Sequence, residues 1–315
     1  MSLLRLLHRK LQTARRLTSE ASALHYTPWE FFLMYVNYAI ENLTGRNMGL
    51  HFEAYAGRIK KRLAQYGYSD EPGCHKFKDV RLPVLPPSDD GTIFMGVYTD
   101  TLSIYMERGD RYDEAEIQEM FDDAHGDGPY GLCNAEVDVT VQPGDVVIDA
   151  GSWIGDFAAY ASAKGASAVY AFEPSDETFK YLLETARLNP NIYPVKAGIG
   201  ETKAKSSFFV SRGLSEGNST LVGSVGEERT IDITTIDDFV RENGLRRVDF
   251  IKADIEGAER QMLRGAAETL RRFAPKLAIC TYHLPDDPEV LEAIIRETNP
   301  AYRVVQKRKK LFASV

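Results

Sequence analysis

From about Glu136 onward, short runs rich in β-branched and aromatic residues alternate with longer runs whose apolar positions recur at helical spacing. The first kind predicts strands at Val146–Ala150, Ala168–Glu173, Tyr193–Ile199, Val248–Asp254, Lys276–Tyr282 and Tyr302–Lys307, with a last strand at Leu311–Val315. The second predicts helices at Asp156–Lys164, Asp176–Leu188, Ile236–Asn243, Ala258–Arg272 and Pro288–Thr298. Thr235 with Asp238 marks a helix start and Gly244 a helix end. Alternation of this kind predicts an α/β fold, a mostly parallel sheet with helices on both faces. Phe208–Thr234 interrupts it and reads as an excursion of short strands beside the site. The run Lys307-Arg308-Lys309-Lys310 reads as a solvated turn.

The first part of the chain is less regular. Met1 to about Tyr68 reads as helical, beginning with a basic amphipathic pattern on Leu3, Leu4, Leu7 and Leu11. That pattern suits a helix packed on the protein body or one lying on a membrane surface or a partner. Thr27, Pro28 and Glu30 form a helix start with a capping box, and Phe31–Leu43 is apolar enough to be largely buried. Asp79–Ser88, with three prolines, reads as a linker or extended crossing. Thr92–Met106 predicts one or two strands and Asp113–Asp123 a helix. Ala124–Gly131 is a loop, a plain connection or a lid over the site. The expected domains are 1–128, a helical and mixed extension serving as substrate cap or oligomerisation element, and 129–315, the alternating domain.

Composition narrows the function classes. At about 150 residues per domain, 315 residues suggest two domains. Apolar residues are 43% and charged residues 27%, ordinary values for a globular chain. A net charge of −8 disfavours nucleic acid as a partner, because non-specific binding needs a basic face. The three cysteines, Cys74, Cys133 and Cys280, have no metal-ligand spacing and fit reduced thiols in a cytoplasmic protein. Met1–Arg16 has no apolar core of a signal peptide. The most apolar stretch, the ten residues between Glu30 and Glu41, is shorter than the roughly 20 needed to span a bilayer, so no transmembrane segment is expected.

The first strand of the alternating domain runs into Asp149-Ala150-Gly151-Ser152-Trp153-Ile154-Gly155. Ligands of doubly wound sheets bind at such carboxyl ends, and glycine lets the backbone approach them. The spacing is not that of a dinucleotide fingerprint, since Trp153 and Asp156 stand where further glycines would fall. Asp149 and Asp156 would repel a pyrophosphate, but they suit S-adenosylmethionine (SAM), whose amino and sulfonium groups are positive. Glu173, about 20 residues past the glycine loop at the end of the next strand, can accept both ribose hydroxyls. Its plainer alternative is an acid at a helix start. The expected cofactor-binding residues are therefore Asp149, Gly151, Ser152, Trp153, Gly155 and Glu173, together with Asp254.

The fourth strand ends in Lys252-Ala253-Asp254-Ile255-Glu256-Gly257-Ala258-Glu259. Residues two apart on a strand share a face, so Lys252, Asp254 and Glu256 point the same way. Buried charges require partners, and Lys252 would pair with Asp254 or Glu256. The next strand ends in Thr281-Tyr282-His283, placing a group that titrates near neutrality beside Asp254. His283, Asp254 and Glu256 are the expected catalytic residues. Asp254, Glu256 and Glu259 would suit a divalent metal such as Mg2+.

Taken together, Asp149-Ala150-Gly151 with Gly155, Phe172-Glu173-Pro174, Lys252-Ala253-Asp254-Ile255-Glu256-Gly257-Ala258-Glu259, Gly265-Ala266 and Tyr282-His283 resemble the FkbM family of SAM-dependent methyltransferases. The resemblance covers roughly Pro129–Phe312, and the Lys-x-Asp-x-Glu-Gly-x-Glu run is its most specific part. It implies a Rossmann-like class I methyltransferase sheet and O-methylation of a hydroxyl on a small molecule or sugar. Such an acceptor, and a second copy of the chain as a homo-oligomer, are the partners it leaves open. Two other readings compete. An NAD(P)-dependent oxidoreductase on the same fold would need the missing glycine fingerprint, and a non-catalytic SAM-binding scaffold would not need the acidic cluster.

Overall fold

The computed structural model describes residues 68–77, 79–83, 130–210, 227–307 and 309–315, together with Pro28, Trp29, Phe32, Leu33, Val36 and Ile40. Contacts divide the chain into two compact units, Met1–Tyr66 with Pro86–Asp113, and Gly67–Leu85 with Glu114–Val315. The six described residues of the first unit are helical, as expected. Phe32 is exposed and Leu33, Val36 and Ile40 are half-buried, so this face is less covered than its apolar sequence suggested. The basic amphipathic segment, the capping pair Thr27 and Glu30, and the elements expected within 92–123 lie outside the described residues.

In the second unit the described chain opens with an antiparallel meander of β1 (Tyr68–Glu71), β2 (Cys74–Phe77) and β3 (Val80–Pro83). β3 falls within Asp79–Ser88, where a linker or extended crossing was expected. A proline ends it without breaking a central ladder, because β3 is an edge strand. The short pair β4 (Leu132–Cys133) and β5 (Asp138–Val139) precedes the main sheet.

The alternating elements follow in order: β6 (Val146–Ala150), α1 (Asp156–Ala163), β7 (Ala168–Phe172), α2 (Asp176–Leu188), β8 (Ile192–Val195), β9 (Gly198–Ile199), β10 (Ala204–Val210), β11 (Glu227–Thr234), α3 (Ile236–Glu242), β12 (Phe250–Ala253), α4 (Glu259–Arg264), α5 (Ala267–Phe273), β13 (Lys276–Cys280), α6 (Asp287–Thr298), β14 (Arg303–Lys307) and β15 (Lys310–Ser314). Seven of the strands form one sheet in the order β14-β15-β13-β12-β6-β7-β8. β15 runs antiparallel to both of its neighbours and the other pairings are parallel. This is a Rossmann-like, mostly parallel sheet. Its switch point lies between β6 and β12, whose following loops diverge in opposite directions and leave a crevice at the strands' carboxyl ends.

Alternate strand residues feed two hydrophobic layers. Ile148, Phe172, Ile251 and Ile279 join a core with Phe239 of α3, Leu263 of α4, Leu270 of α5 and Ile295 of α6. On the central strands Phe250 instead meets Phe157 of α1, with ring centroids 5.8 Å apart. The meander adds to the α1 and α2 side, where Asn189 Nδ2 donates to the Arg81 carbonyl at 2.9 Å.

Two expected elements are divided. Tyr193–Ile199 splits into β8, in the main sheet, and β9, which pairs parallel with β11 in a separate sheet. β10 and β11 form an antiparallel pair, so the excursion expected over Phe208–Thr234 begins earlier, at Ala204. The single helix expected over Ala258–Arg272 breaks at Gly265-Ala266. A Cβ at Gly265 would lie 2.1 Å from the Gly200 carbonyl, so only glycine allows the approach. The freed N–H groups at the start of α5 are not orphaned. Asp237 of α3 accepts Glu268 N at 2.9 Å and Thr269 N at 2.8 Å.

Candidate active site

At the carboxyl end of β6 the chain turns through Gly151 at φ 75°, Trp153 at φ 48° and Gly155 at φ 86°. A Cβ on Gly151 would lie 2.0 Å from the Asp254 carbonyl, and one on Gly155 would lie 2.6 Å from Leu182 Cδ1. These glycines let the loop pack tightly between the ends of β12 and α2. Ser152 is buried and its hydroxyl donates to the Asp149 carbonyl at 2.8 Å.

Glu173 stands at the end of the neighbouring strand, almost fully buried. It accepts Trp153 N at 3.0 Å and Ser175 N at 2.9 Å. Burial raises its carboxyl to about 7, against the lowering effect of those N–H groups and of Thr178 and Lys252. An acid held this way is tied to the glycine loop by one oxygen and to the helix entry by the other. Among the described residues the buried indole Nε1 of Trp153 has no hydrogen-bond partner.

Beneath the loop, Lys252 reaches across the β6–β12 ladder. Its Nζ lies 3.1 Å from Asp149 Oδ1, donates to the Gly151 carbonyl at 2.6 Å and sits 5.0 Å over the Tyr130 ring. Burial alone would lower the ammonium's pKa, but Asp149, Asp254 and Asp156 together hold it above the usual lysine range. The pairing differs from the sequence expectation of Asp254 or Glu256. Lys252 and Asp149 are register partners on adjacent parallel strands, so their side chains lie side by side on one face. Asp149 is fully buried, and the pair braces the floor of the crevice.

Above that floor Asp254 collects donors. Tyr130 Oη donates to Oδ2 and Tyr282 Oη to Oδ1, each at 2.7 Å. Burial would raise the Asp254 carboxyl, but Lys252, His283 and both phenols outweigh it and hold the group below the usual carboxylate range. His283 faces three acids: Nδ1 lies 3.0 Å from Glu259 Oε1, and Nε2 lies 3.5 Å from Asp254 Oδ1 and 3.7 Å from Glu256 Oε2. Burial would depress the imidazole, yet Glu256, Glu259 and Asp254 push it up to about 10. At neutral pH it therefore carries its proton and cannot act as a base in that state.

The structure brings Asp254, Glu256 and His283 together, with one ligand-type atom from each within a 4.8 Å span. Glu259, expected as a third metal ligand beside Asp254 and Glu256, is turned away from that group. It is fully buried and committed to Ile255 N at 2.9 Å and to His283. Of the expected metal set, Asp254 and Glu256 are thus brought together, with His283 in the place expected for Glu259. Sequence reasoning missed Tyr130 and Lys310. Tyr130 lay in a run read only as a loop. Lys310 was assigned to a solvated turn, but it is buried, begins β15 and lies 5.0 Å over the Tyr130 ring. An aromatic next to the domain's first strands was the only signal for Tyr130.

Comparison with known proteins finds methyltransferases. A family model described as a methyltransferase FkbM domain matches residues 148–303. The chain is 30% identical over 156 residues to the hexuronic acid methyltransferase AglP of Haloferax volcanii, covering 49% of this chain and 62% of that protein. It is 24% identical over 236 residues to the methyltransferase sdnD of Sordaria araneosa, covering 64% of this chain and 86% of that one. The crystal structure of the methyltransferase FkbM from Methylobacillus flagellatus superposes with a TM-score of 0.43 at 24% identity, over 54% of this chain and 43% of that one. The match spans less than two thirds of the length of the Haloferax relative. Residues 148–303, which carry the glycine loop, Glu173, Asp254 and His283, are the part of the chain that is similar to the methyltransferase FkbM domain.

Proposed function

We propose that the protein is a SAM-dependent O-methyltransferase acting on a hydroxyl of a small molecule or sugar. The observation that carries this reading is the placement of the buried Glu173 and of Asp254 just past the carboxyl ends of β7 and β12, the two strands that flank β6. SAM supplies an electrophilic methyl group on a positive sulfonium. Glu173 is the acceptor for its ribose hydroxyls, and Gly151 to Gly155 is the loop on which it rests. Trp153 Nε1 offers a further donor there.

The acceptor hydroxyl has to lie in line with the methyl group, and most of the rate gain comes from that placement. Asp254, ionised and exposed to the crevice on one edge, takes the hydroxyl proton as the new bond forms. Tyr130 and Tyr282 hold the carboxylate in place, and the His283 cation, anchored by Glu259, balances the surrounding acids. Glu256, 3.7 Å from His283, sets the far side of the same charge cluster. The name of the Haloferax relative makes a hexuronic acid the first acceptor to try. The oxidoreductase reading loses its ground with the FkbM match, and a scaffold role is separated from an enzyme by turnover.

The test uses SAM with methyl glucuronide as acceptor, reading release of S-adenosylhomocysteine (SAH). Asp254→Asn should lower kcat by about 100-fold or more, in the range for a lost general base, while SAH affinity stays within about twofold. Turnover equal to wild type would refute the assignment.

A further inference from the structure

The His283 side chain is only 6% exposed, yet its buried Nε2 has no hydrogen-bond partner among the described residues. Two carboxylate oxygens face that nitrogen at distances long for a hydrogen bond, Asp254 Oδ1 at 3.5 Å and Glu256 Oε2 at 3.7 Å. This is the spacing that an ion between them requires. Ligand atoms about 2.0–2.2 Å from a divalent cation and about 110–120° apart stand roughly 3.3–3.8 Å from one another. One ligand-type atom from each of Asp254, Glu256 and His283 lies within 4.8 Å of the other two.

The surroundings are those of a ligating imidazole. Nδ1 lies 3.0 Å from Oε1 of the fully buried Glu259. A carboxylate on the far nitrogen of a ligating histidine fixes its tautomer and the orientation of its ring. Glu259 is itself fixed by Ile255 N, which donates to it at 2.9 Å. Tyr130 and Tyr282 hold Asp254 in the same manner. Glu256 reaches the cluster through a backbone φ of 56°, a conformation that residues with a Cβ rarely adopt. Each carboxylate oxygen has two lone pairs, so Asp254 and Glu256 can ligate an ion while keeping their other partners. Their side chains are 20% and 27% exposed, which leaves an ion with open positions on the solvent side.

We propose that Asp254, Glu256 and His283 form a site for a divalent first-row cation, with Glu259 as the carboxylate that orients the imidazole. One imidazole and two carboxylates suit Mn2+ or Zn2+ better than Mg2+, which favours oxygen ligands alone. The bound ion replaces the Nε2 proton, which leaves to solvent, as the positive charge among these acids. Ligation through Oδ1 leaves Oδ2 of Asp254 for the acceptor's proton. The site rests on this geometry alone, while its use, holding an acceptor oxygen at an open position, rests on the methyltransferase reading above.

The test uses the untagged full chain, stripped of metal by chelation and titrated with Mn2+, with free Mn2+ read by electron paramagnetic resonance. Wild type should bind one ion per chain, displaced by Zn2+, and the spin-echo signal of bound Mn2+ should carry modulation from an imidazole nitrogen. His283→Gln should lose that modulation. His283→Gln and Glu256→Gln should each weaken binding by about tenfold or more, since the partners behind a ligand are already worth about 10–100-fold. Circular dichroism checks the fold, and Glu256→Gln, at a partly exposed position, keeps the test decisive if His283→Gln does not fold. No stoichiometric binding by folded wild type, bound Mn2+ without nitrogen modulation, or folded variants with wild-type affinity would overturn the site. Calorimetry of SAH on the same samples keeps the two readings apart. SAH binding without Mn2+ or Zn2+ binding removes the cation site and leaves the methyltransferase reading, and an imidazole-bound ion without SAH binding does the reverse.

Discussion

At Gly151 two requirements coincide: a positive φ and a Cβ position 2.0 Å from the Asp254 carbonyl. Gly151→Ala should therefore destabilise the protein by roughly 1–3 kcal/mol or more, since a strained backbone and a backbone clash add. A denaturant midpoint indistinguishable from wild type would show that the loop can move away from β12. Glu173 makes a different prediction. Its carboxyl sits at about 7, and hydroxyl donors favour its ionised form. SAH affinity should therefore rise between pH 6 and 8 in wild type and be flat over that range in Glu173→Gln. These residues were legible in the sequence because a glycine loop and an acid about 20 residues later carry their spacing with them. Trp153 shows the limit of that legibility. Nothing in a linear pattern says that a tryptophan takes φ 48° and that its indole N–H has no partner among the described residues.

At the scale of elements, the β6–β12 pair is held by its register as well as its ladder. Asp149 and Lys252 are opposite one another, both buried, so removing one leaves the other uncompensated. Lys252→Met should cost about 3–5 kcal/mol, and Asp149→Asn/Lys252→Met should recover most of that loss. Thermal denaturation of the two variants decides it, and an equally unstable double variant would mean that the pair matters for packing rather than charge. Periodicity located β6 and α2 to the residue, because both are bounded by sharp changes in pattern. It ran α4 and α5 together, since the helical spacing continues through Gly265-Ala266. The break is imposed from outside, by the Gly200 carbonyl and the Asp237 cap, and tertiary contacts leave no local signature. The Lys252 partner was misassigned for the same reason: cross-strand neighbours depend on strand order, and short-range spacing favoured Asp254.

Over the whole molecule, the parallel sheet followed from alternation alone, while the order of its strands and the meander beside α2 did not. The site's pH response is a collective property. Glu173 is raised from an ordinary 4.5 to about 7 and His283 from 6.5 to about 10. In both cases the folded state binds protons more tightly than the unfolded chain, so stability falls as pH rises through each window. Tm of the ligand-free protein should decline from pH 5 to 10, and His283→Gln should flatten the upper part of that decline. Among the described residues no helix is long and apolar enough to cross a membrane. The most direct measurement is titration with SAH of wild type and of Glu173→Ala, with circular dichroism confirming that both are folded. The account predicts saturable binding to wild type, weakened roughly 10- to 100-fold in the variant, the range for hydrogen bonds to a charged group. Absence of binding to folded wild type, or equal affinity in Glu173→Ala, would contradict it.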